Sequence, residues 1–492
     1  MGWFREYRWE VVMFAALVVL ALSTTFNGPA DAGDYLDVGK FLSGQYAAKI
    51  RSSHSYLLGA VHAPLLLTFQ FGVFKVTNLI LLALLVWSVF VVSGKDRRTL
   101  WLFLVAPAVW YMAPWIGPIQ VAALAMLWAW FFMERYAKTG GVKEVLYAGL
   151  LVGLGWAFWD TILFFGAFLG LVYLWHRKLG HGFAFLALVA VGLLPRLILD
   201  AALFGFPIYT ILKSSMGTLA NIGGGIYGGQ GHTPMTLFDL IWIFLVVPFS
   251  FWMLYTKKLF VKHRKSMIWL SLCLVLILAN PQMRYVLVLA PVMIILSGKY
   301  LSKEVWKKIM IASVLVSALL VSPYVVQVNG TFDSSLQTHN LIGYDLKNVV
   351  QAYRADGRLE VTDVLLRNRV IADVQQLAED YPDEAFLVGP DPDSYQVLAD
   401  LYWGSRVKEF VSVQDYDLSK TDEVSLYERR WEPVPKIQSR RQIWVGGGLN
   451  KNPIDETDYD SIEYAVGYIK DFAPKGFVEI EKYDTLTVFQ KQ

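Results

Sequence analysis

Residues 76–98 read VTNLILLALLVWSVFVVSGKDRR, a run of 19 residues without a charge that ends on Lys95, Arg97 and Arg98. About 20 apolar residues cross the hydrocarbon of a bilayer as a helix. A basic run directly after such a stretch marks its cytoplasmic end. Similar stretches fall near 11–26, 99–114, 118–134, 145–159, 160–175, 182–203, 236–256, 267–280, 284–298 and 308–326, giving about 11 transmembrane helices. The fold class expected is therefore a polytopic α-helical membrane protein.

Composition agrees. The chain is 55% hydrophobic and 17% charged, with a mean hydropathy of +0.42, against about 25% charged in soluble domains. Of the 41 acidic residues, 29 lie after residue 326, so the last third reads as soluble. Two domains are expected: 1–326 in the membrane and 327–492 as an α/β domain. In the latter, strands at Ala385–Gly389, 407–413, Gln442–Val445 and Phe477–Ile480 alternate with helices near 364–379, 393–403 and 459–472. The single Cys273 excludes an intrachain disulfide. The net charge of +3 gives no sign of nucleic acid as a partner.

Charge also orients the chain. With the N-terminus inside, 19 of the 26 Lys and Arg before residue 327 fall in inner loops, as the positive-inside rule requires. Arg5 and Arg8 precede a first helix expected to be retained, since no clear cleavage site follows it. An odd number of spans places the C-terminal domain outside the cytoplasm. Two long outer segments result, 27–75 and 204–235. The first holds an apolar stretch, 63–74, too short to span. The second carries seven glycines from Gly217 to Gly231, which leave its backbone many conformations.

The chemistry is expected in the first outer segment. Asp31, Asp34 and Asp37 cluster there, while only nine other acids occur in the first 326 residues. Asp31 is placed to cap a helix, and Asp34 and Asp37 lie one turn apart on it. A solvated loop with a helix cap would look the same.

Asp31 and Tyr35 fall on the Asp-Glu-x-x-Tyr pattern in the first outer loop of GT-C glycosyltransferases, which this segment resembles. The superfamily includes protein O-mannosyltransferases and aminoarabinose transferases to lipid A. Further likeness lies in His62-Ala-Pro64, the basic loop 95–98, Phe204-Gly-Phe-Pro207, and Arg284-Tyr285 followed by Pro291. Together these cover residues 1 to about 300. Two positions depart from the pattern. Ala32 stands where the family often has Glu, and Gln120 where many members have an acid.

The resemblance implies a polyprenyl-phosphate sugar as donor and inversion at its anomeric carbon. It implies a glycan, lipid or protein acceptor presented outside the cytoplasm. Asp31 is then the general base, with Asp34 as the other candidate. Arg284, Lys213 and His232 are candidates for the donor phosphate, and Tyr35, His62 and Asp160 for substrate contacts. Each has a plainer reading: Arg284 as an interfacial arginine, Lys213 and His232 as solvated loop, Asp160 as a boundary marker. Arg196 and Asp200, four apart, are expected to pair across one helix turn. No metal-ligand spacing such as His-Glu-x-x-His occurs, so no metal or other cofactor is expected, although a divalent ion is compatible with the site. A transporter or flippase for a lipid-linked or polar substrate is the alternative. It lacks support, since no internal repeat is visible and the acids gather on one face.

Overall fold

The computed structural model describes residues 6–23, 55–69, 72–113, 116–175, 179–212, 257–279, 283–328, 409–412 and 463–467, most of 476–492, parts of 373–388, and isolated positions such as Tyr35, Val38 and Gly39. Most of this is helix. In chain order the helices are α1 (Arg8–Ser23), α2 (Leu57–Phe69), α3 (Gly72–Val92), α4 (Arg97–Leu104), α5 (Pro107–Met112) and α6 (Ile119–Thr139). There follow α7 (Val142–Phe158), α8 (Thr161–Leu174), α9 (Leu179–Phe204), α10 (Lys257–Lys262), α11 (Arg264–Ala279), α12 (Met283–Gly298) and α13 (Lys303–Val328). Residues Val73–Val92 and Leu179–Leu203 are long and apolar enough to cross a membrane. The expected spans fall on described helices except 236–256, which lies outside the described residues.

The chain forms two compact units. One comprises Met1–Gly28, Phe74–Leu199 and His232–Thr362; the other comprises Pro29–Val73, Asp200–Gly231 and Asp363–Gln492.

In the first unit α6 packs on α7 and α12, α8 on α11, and α13 on α5. The stretch 99–114 is not one span. It breaks between α4 and α5, because Pro107 lacks an N–H and fits only the first turn of a new helix. The break is buried: Leu104, Val105 and Ala106 are at most 1% exposed. Its carbonyls find donors elsewhere. Trp110 Nε1 donates to Leu104 O at 2.7 Å, and Ser317 Oγ of α13 to Val105 O at 2.9 Å.

Glycine sets the contact between α7 and α9. Gly149 and Gly153, four apart on α7, meet the backbone carbonyls of Phe185 and Val189. Gly192 answers from α9 against Leu150 O. A β-carbon at any of the three would stand closer to a carbonyl oxygen than van der Waals contact allows. Such small-residue seams let helix backbones approach where lipid supplies no hydrophobic drive.

In the second unit five strands, β1 (Ala385–Val388), β2 (Glu409–Ser412), β3 (Tyr464–Gly467), β4 (Phe477–Lys482) and β5 (Thr487–Lys491), form one mixed sheet. Its order is β2-β1-β3-β5-β4. β1 runs parallel to β2 and β3, and β5 runs antiparallel to β3 and β4. The helix expected over 459–472 is corrected here: residues 464–467 are a strand. Ala465 and Val466 are fully buried, and a short apolar run buried on both faces has no period to separate strand from helix. β5 was not anticipated, β4 runs two residues further than expected, and the expected segments 393–403 and 442–445 lie outside the described residues.

Replacing Gly153 by leucine should force α7 off α9. Thermal unfolding of the purified protein in detergent is expected to drop by several degrees, with a smaller drop for Gly153→Ala. Leu154→Ala, on a side chain 37% exposed, should change little.

Candidate functional site

The candidate residues fall in both units. In the second unit, Tyr35, Val38, Gly39 and Leu42 are helical, so the acid-bearing segment continues into a helix as its spacing suggests. That helix sits directly on α2. A β-carbon on Gly59 would lie 2.5 Å from Val38 Cγ1 and 2.8 Å from Gly39 N, so only glycine admits the approach. Tyr35 is 3% exposed and Val38 1%. His62 is 2% exposed, and its Nδ1 donates to Leu58 O at 2.7 Å, one turn back on α2. Burial lowers its pKa, which favours the neutral ring. Both Tyr35 and His62 thus lie inside the packing of the segment 27–75. Asp31 and Asp34 lie outside the described residues.

The Phe204-Gly-Phe-Pro207 motif turns the chain at the end of α9. Gly205 has φ +66, and its N–H donates to Ala201 O at 2.9 Å, a left-handed helix stop that glycine adopts without strain. Asp200 pins the turn: it is fully buried and accepts from Thr210 N at 2.9 Å and Thr210 Oγ1 at 2.7 Å. Tyr209 beside it is 3% exposed; burial and the Asp200 charge push its phenol well above its usual pKa. Lys213 and His232, further along this segment, lie outside the described residues.

In the first unit, Asp160 opens α8 directly after α7 ends. It does not stand alone. Arg196 of α9, fully buried, donates to Asp160 Oδ1 at 2.6 Å and to Oδ2 at 3.3 Å. Trp156 Nε1 donates to Asp160 Oδ1 at 3.3 Å, and Trp156 O accepts from Arg196 at 3.3 Å. The expected Arg196–Asp200 pair is therefore corrected. Arg196 reaches across to α8, and Asp200 serves the turn after α9. The two-point contact to a carboxylate suits the planar guanidinium, and it leaves the Asp160 side chain 25% exposed.

The residue before Asp160 links this corner to α12. The Trp159 and Tyr285 rings lie 5.6 Å apart, tilted by 34°. Tyr285 follows Arg284 in the first turn of α12. The pair of rings therefore brings the Asp160–Arg196 corner beside the start of the helix that carries the expected phosphate ligand; the Arg284 side chain itself lies outside the described residues. In the same unit, Gln120 at the start of α6 is 2% exposed. Its Oε1 is buried with no donor among the described residues, in a cavity lined by Phe103, Ala123 and Pro291. It marks the position where the resemblance leads one to expect an acid. Among the described residues no group of three His, Cys, Asp or Glu is placed to hold a metal ion.

The described residues are mostly helical, and two of the helices are long and apolar enough to cross a membrane. The particular likeness is to ArnT from Cupriavidus metallidurans. Its crystal structure bound to undecaprenyl phosphate matches with a TM-score of 0.56 at 14% identity, over 98% of both chains. Its apo structure matches with a TM-score of 0.54 at 15% identity, over 99% of this chain and 98% of that one. No family model matches the sequence, and no curated protein matches it. The likeness is one of fold over the whole length.

Asp160 and Arg196 should behave as one unit. Asp160→Asn leaves a fully buried guanidinium without its counter-charge and should cost about 3–5 kcal/mol. Arg196→Met, which leaves a partly exposed carboxylate, should cost less, and the double variant should recover much of the loss. A double-mutant cycle on detergent-solubilised protein checks this; additive losses would show that the two do not interact.

Proposed function

We propose that the protein is a glycosyltransferase that moves a sugar from a polyprenyl-phosphate donor to an acceptor hydroxyl on the extracytoplasmic side of the membrane. The observation that carries this reading is the match of fold along 98% of the chain with a protein crystallised on undecaprenyl phosphate. The sequence supports it independently. Asp31 and Tyr35 fall on the GT-C pattern, and the membrane half has few acids elsewhere.

The reaction is a single displacement. The acceptor oxygen attacks the anomeric carbon, the bond from that carbon to the phosphate oxygen breaks, and polyprenyl phosphate leaves. Attack from the face opposite the leaving group inverts the centre. Asp31 takes the acceptor proton as general base, a role worth typically about 10²–10⁴ in rate; Asp34 is the other candidate. Negative charge grows on the departing phosphate, so cations there stabilise the transition state more than the ground state. Arg284, Lys213 and His232 are proposed for that position. Asp160 presents its free lone pairs to a sugar hydroxyl while Arg196 holds it in place. Tyr35 and His62, both buried, support the acid segment from within. The C-terminal 327–492 is proposed as an extracytoplasmic domain on the acceptor side. That sidedness rests on the basic inner loops of the sequence. The segments 29–73, 200–231 and 363–492, nearly all of them expected outside, belong to one compact unit.

The test is donor turnover by the full chain in nanodiscs, with a panel of polyprenyl-phosphate sugars and hydroxyl acceptors. One donor should be consumed, with the product inverted by NMR, and Asp31→Asn should slow this by at least about 100-fold. Loss in Asp34→Asn with Asp31→Asn unaffected would move the base to Asp34. Donor that crosses a liposome membrane unchanged, with no turnover, would overturn the transferase reading in favour of a carrier.

A further inference from the structure

The ends of α6, α8, α11 and α12 that the basic loops place inside carry a polar cluster that sugar transfer does not use. At its centre is Glu134 of α6. Its Oε1 accepts from Ser266 Oγ at 2.6 Å and from the Tyr173 hydroxyl. Trp130 Nε1 donates to Ser266 Oγ at 2.9 Å. On the other side His263 Nδ1 stands 3.8 Å from Glu134 Oε2, and His263 Nε2 meets Tyr300 OH at 2.8 Å.

Lys265 and Lys299 interact with this carboxylate; Arg177 stands near the first, Lys138 and Lys262 near the second, and Asp96 is a second acid beside Lys299. The Arg177 guanidinium lies 5.5 Å from the centre of the Tyr136 ring, Lys265 5.5 Å from that of Tyr173, and Lys262 5.2 Å from that of Tyr300. Lys265 Nζ also donates to Tyr173 O at 3.0 Å, a carbonyl at the end of α8 where cations are favoured. Rings at this range hold a cation by their quadrupole without neutralising it. Lys299 loses part of its hydration and stands near Lys138 and Lys262, which lowers its pKa. Burial and Arg177 do the same to Lys265. The cations are thus held together against their own repulsion, which Glu134 and Asp96 offset in part.

Their heads remain accessible. Lys138, Arg177, Lys262 and Lys299 are exposed. Beside them, exposed apolar side chains reach outward: Trp175 at 61%, Leu171 at 48% and Val261 at 76%. A ligand that is anionic at one end and apolar beyond it matches this pattern. Basic pockets between helices at the cytoplasmic surface suit phospholipid headgroups, and tryptophan favours the same depth.

We infer that this cluster binds the phosphodiester headgroup of an anionic phospholipid of the cytoplasmic leaflet, its acyl chains lying along Leu171 and Trp175. The inference rests on the inward placement of these ends and not on the transferase reading.

The test is native mass spectrometry of the full chain in mild detergent, titrated with phosphatidylglycerol or phosphatidylcholine. The wild type should retain phosphatidylglycerol selectively. Lys138→Gln/Lys262→Gln/Lys299→Gln should weaken it by on the order of 100-fold, and Arg177→Gln alone by about fivefold, at about a fivefold effect per surface cation. Lys303→Gln/Lys307→Gln/Lys308→Gln removes three exposed lysines of α13 and should leave binding unchanged. Equal retention of the two lipids would overturn the inference. So would equal loss in the α13 control, which would reduce the effect to general positive charge. Displacement of the lipid by millimolar inorganic phosphate would reassign the cluster to free phosphate. Should the triple variant unfold, Arg177→Gln decides alone: unchanged lipid retention sinks the proposal.

Discussion

In hydrocarbon a backbone carbonyl without a donor costs several kcal/mol, and the break at Pro107 frees two. Leu104 O takes the indole of Trp110 and Val105 O the hydroxyl of Ser317. The second donor comes from α13, more than 200 residues further along the chain. The broken span is therefore tolerable only once α13 has docked. The same constraint favours unbroken helix in the other described apolar segments. It also explains the glycine seam between α7 and α9, where backbones approach closely because neither has a free polar group facing the other.

Charge is handled by the same logic. Arg196 is fully buried in the middle of an apolar helix, and it is stable there because Asp160 and the Trp156 carbonyl take up its donors. The pair holds the corner between α7 and α8 and, through Trp159 and Tyr285, sets that corner against the start of α12. At the other end of the unit Glu134 is satisfied by Ser266 and Tyr173, while the cations around it are in excess. One end has balanced charge; the other has surplus charge on exposed side chains.

Much of this was legible in the sequence. Runs of apolar residues near bilayer length marked segments that are mostly helical where they are described. The Asp31–Tyr35 spacing carried a resemblance to a superfamily that includes aminoarabinose transferases to lipid A, and the solved structures of similar fold are those of ArnT. The Phe-Gly-Phe-Pro motif marked the end of α9, and Gly205 adopts the left-handed conformation that such a stop requires. Local pattern failed where partners were distant. Arg196 looked like a partner for Asp200, yet it pairs with Asp160, 36 positions away. The segment 459–472 looked helical because its apolar residues carry no clear period, and only its place between β1 and β5 makes 464–467 a strand.

Sequence alone marked the apolar segments, the basic runs between them and the cluster of acids at Asp31, Asp34 and Asp37. Those properties depend on transfer free energy and charge, which are read one segment at a time. Tertiary structure alone decided which charges pair, where the Pro107 break finds its donors, and that Lys265 and Lys299 meet Glu134 among further cations. Each of these depends on side chains from different helices meeting in space, and no local spacing encodes such a meeting.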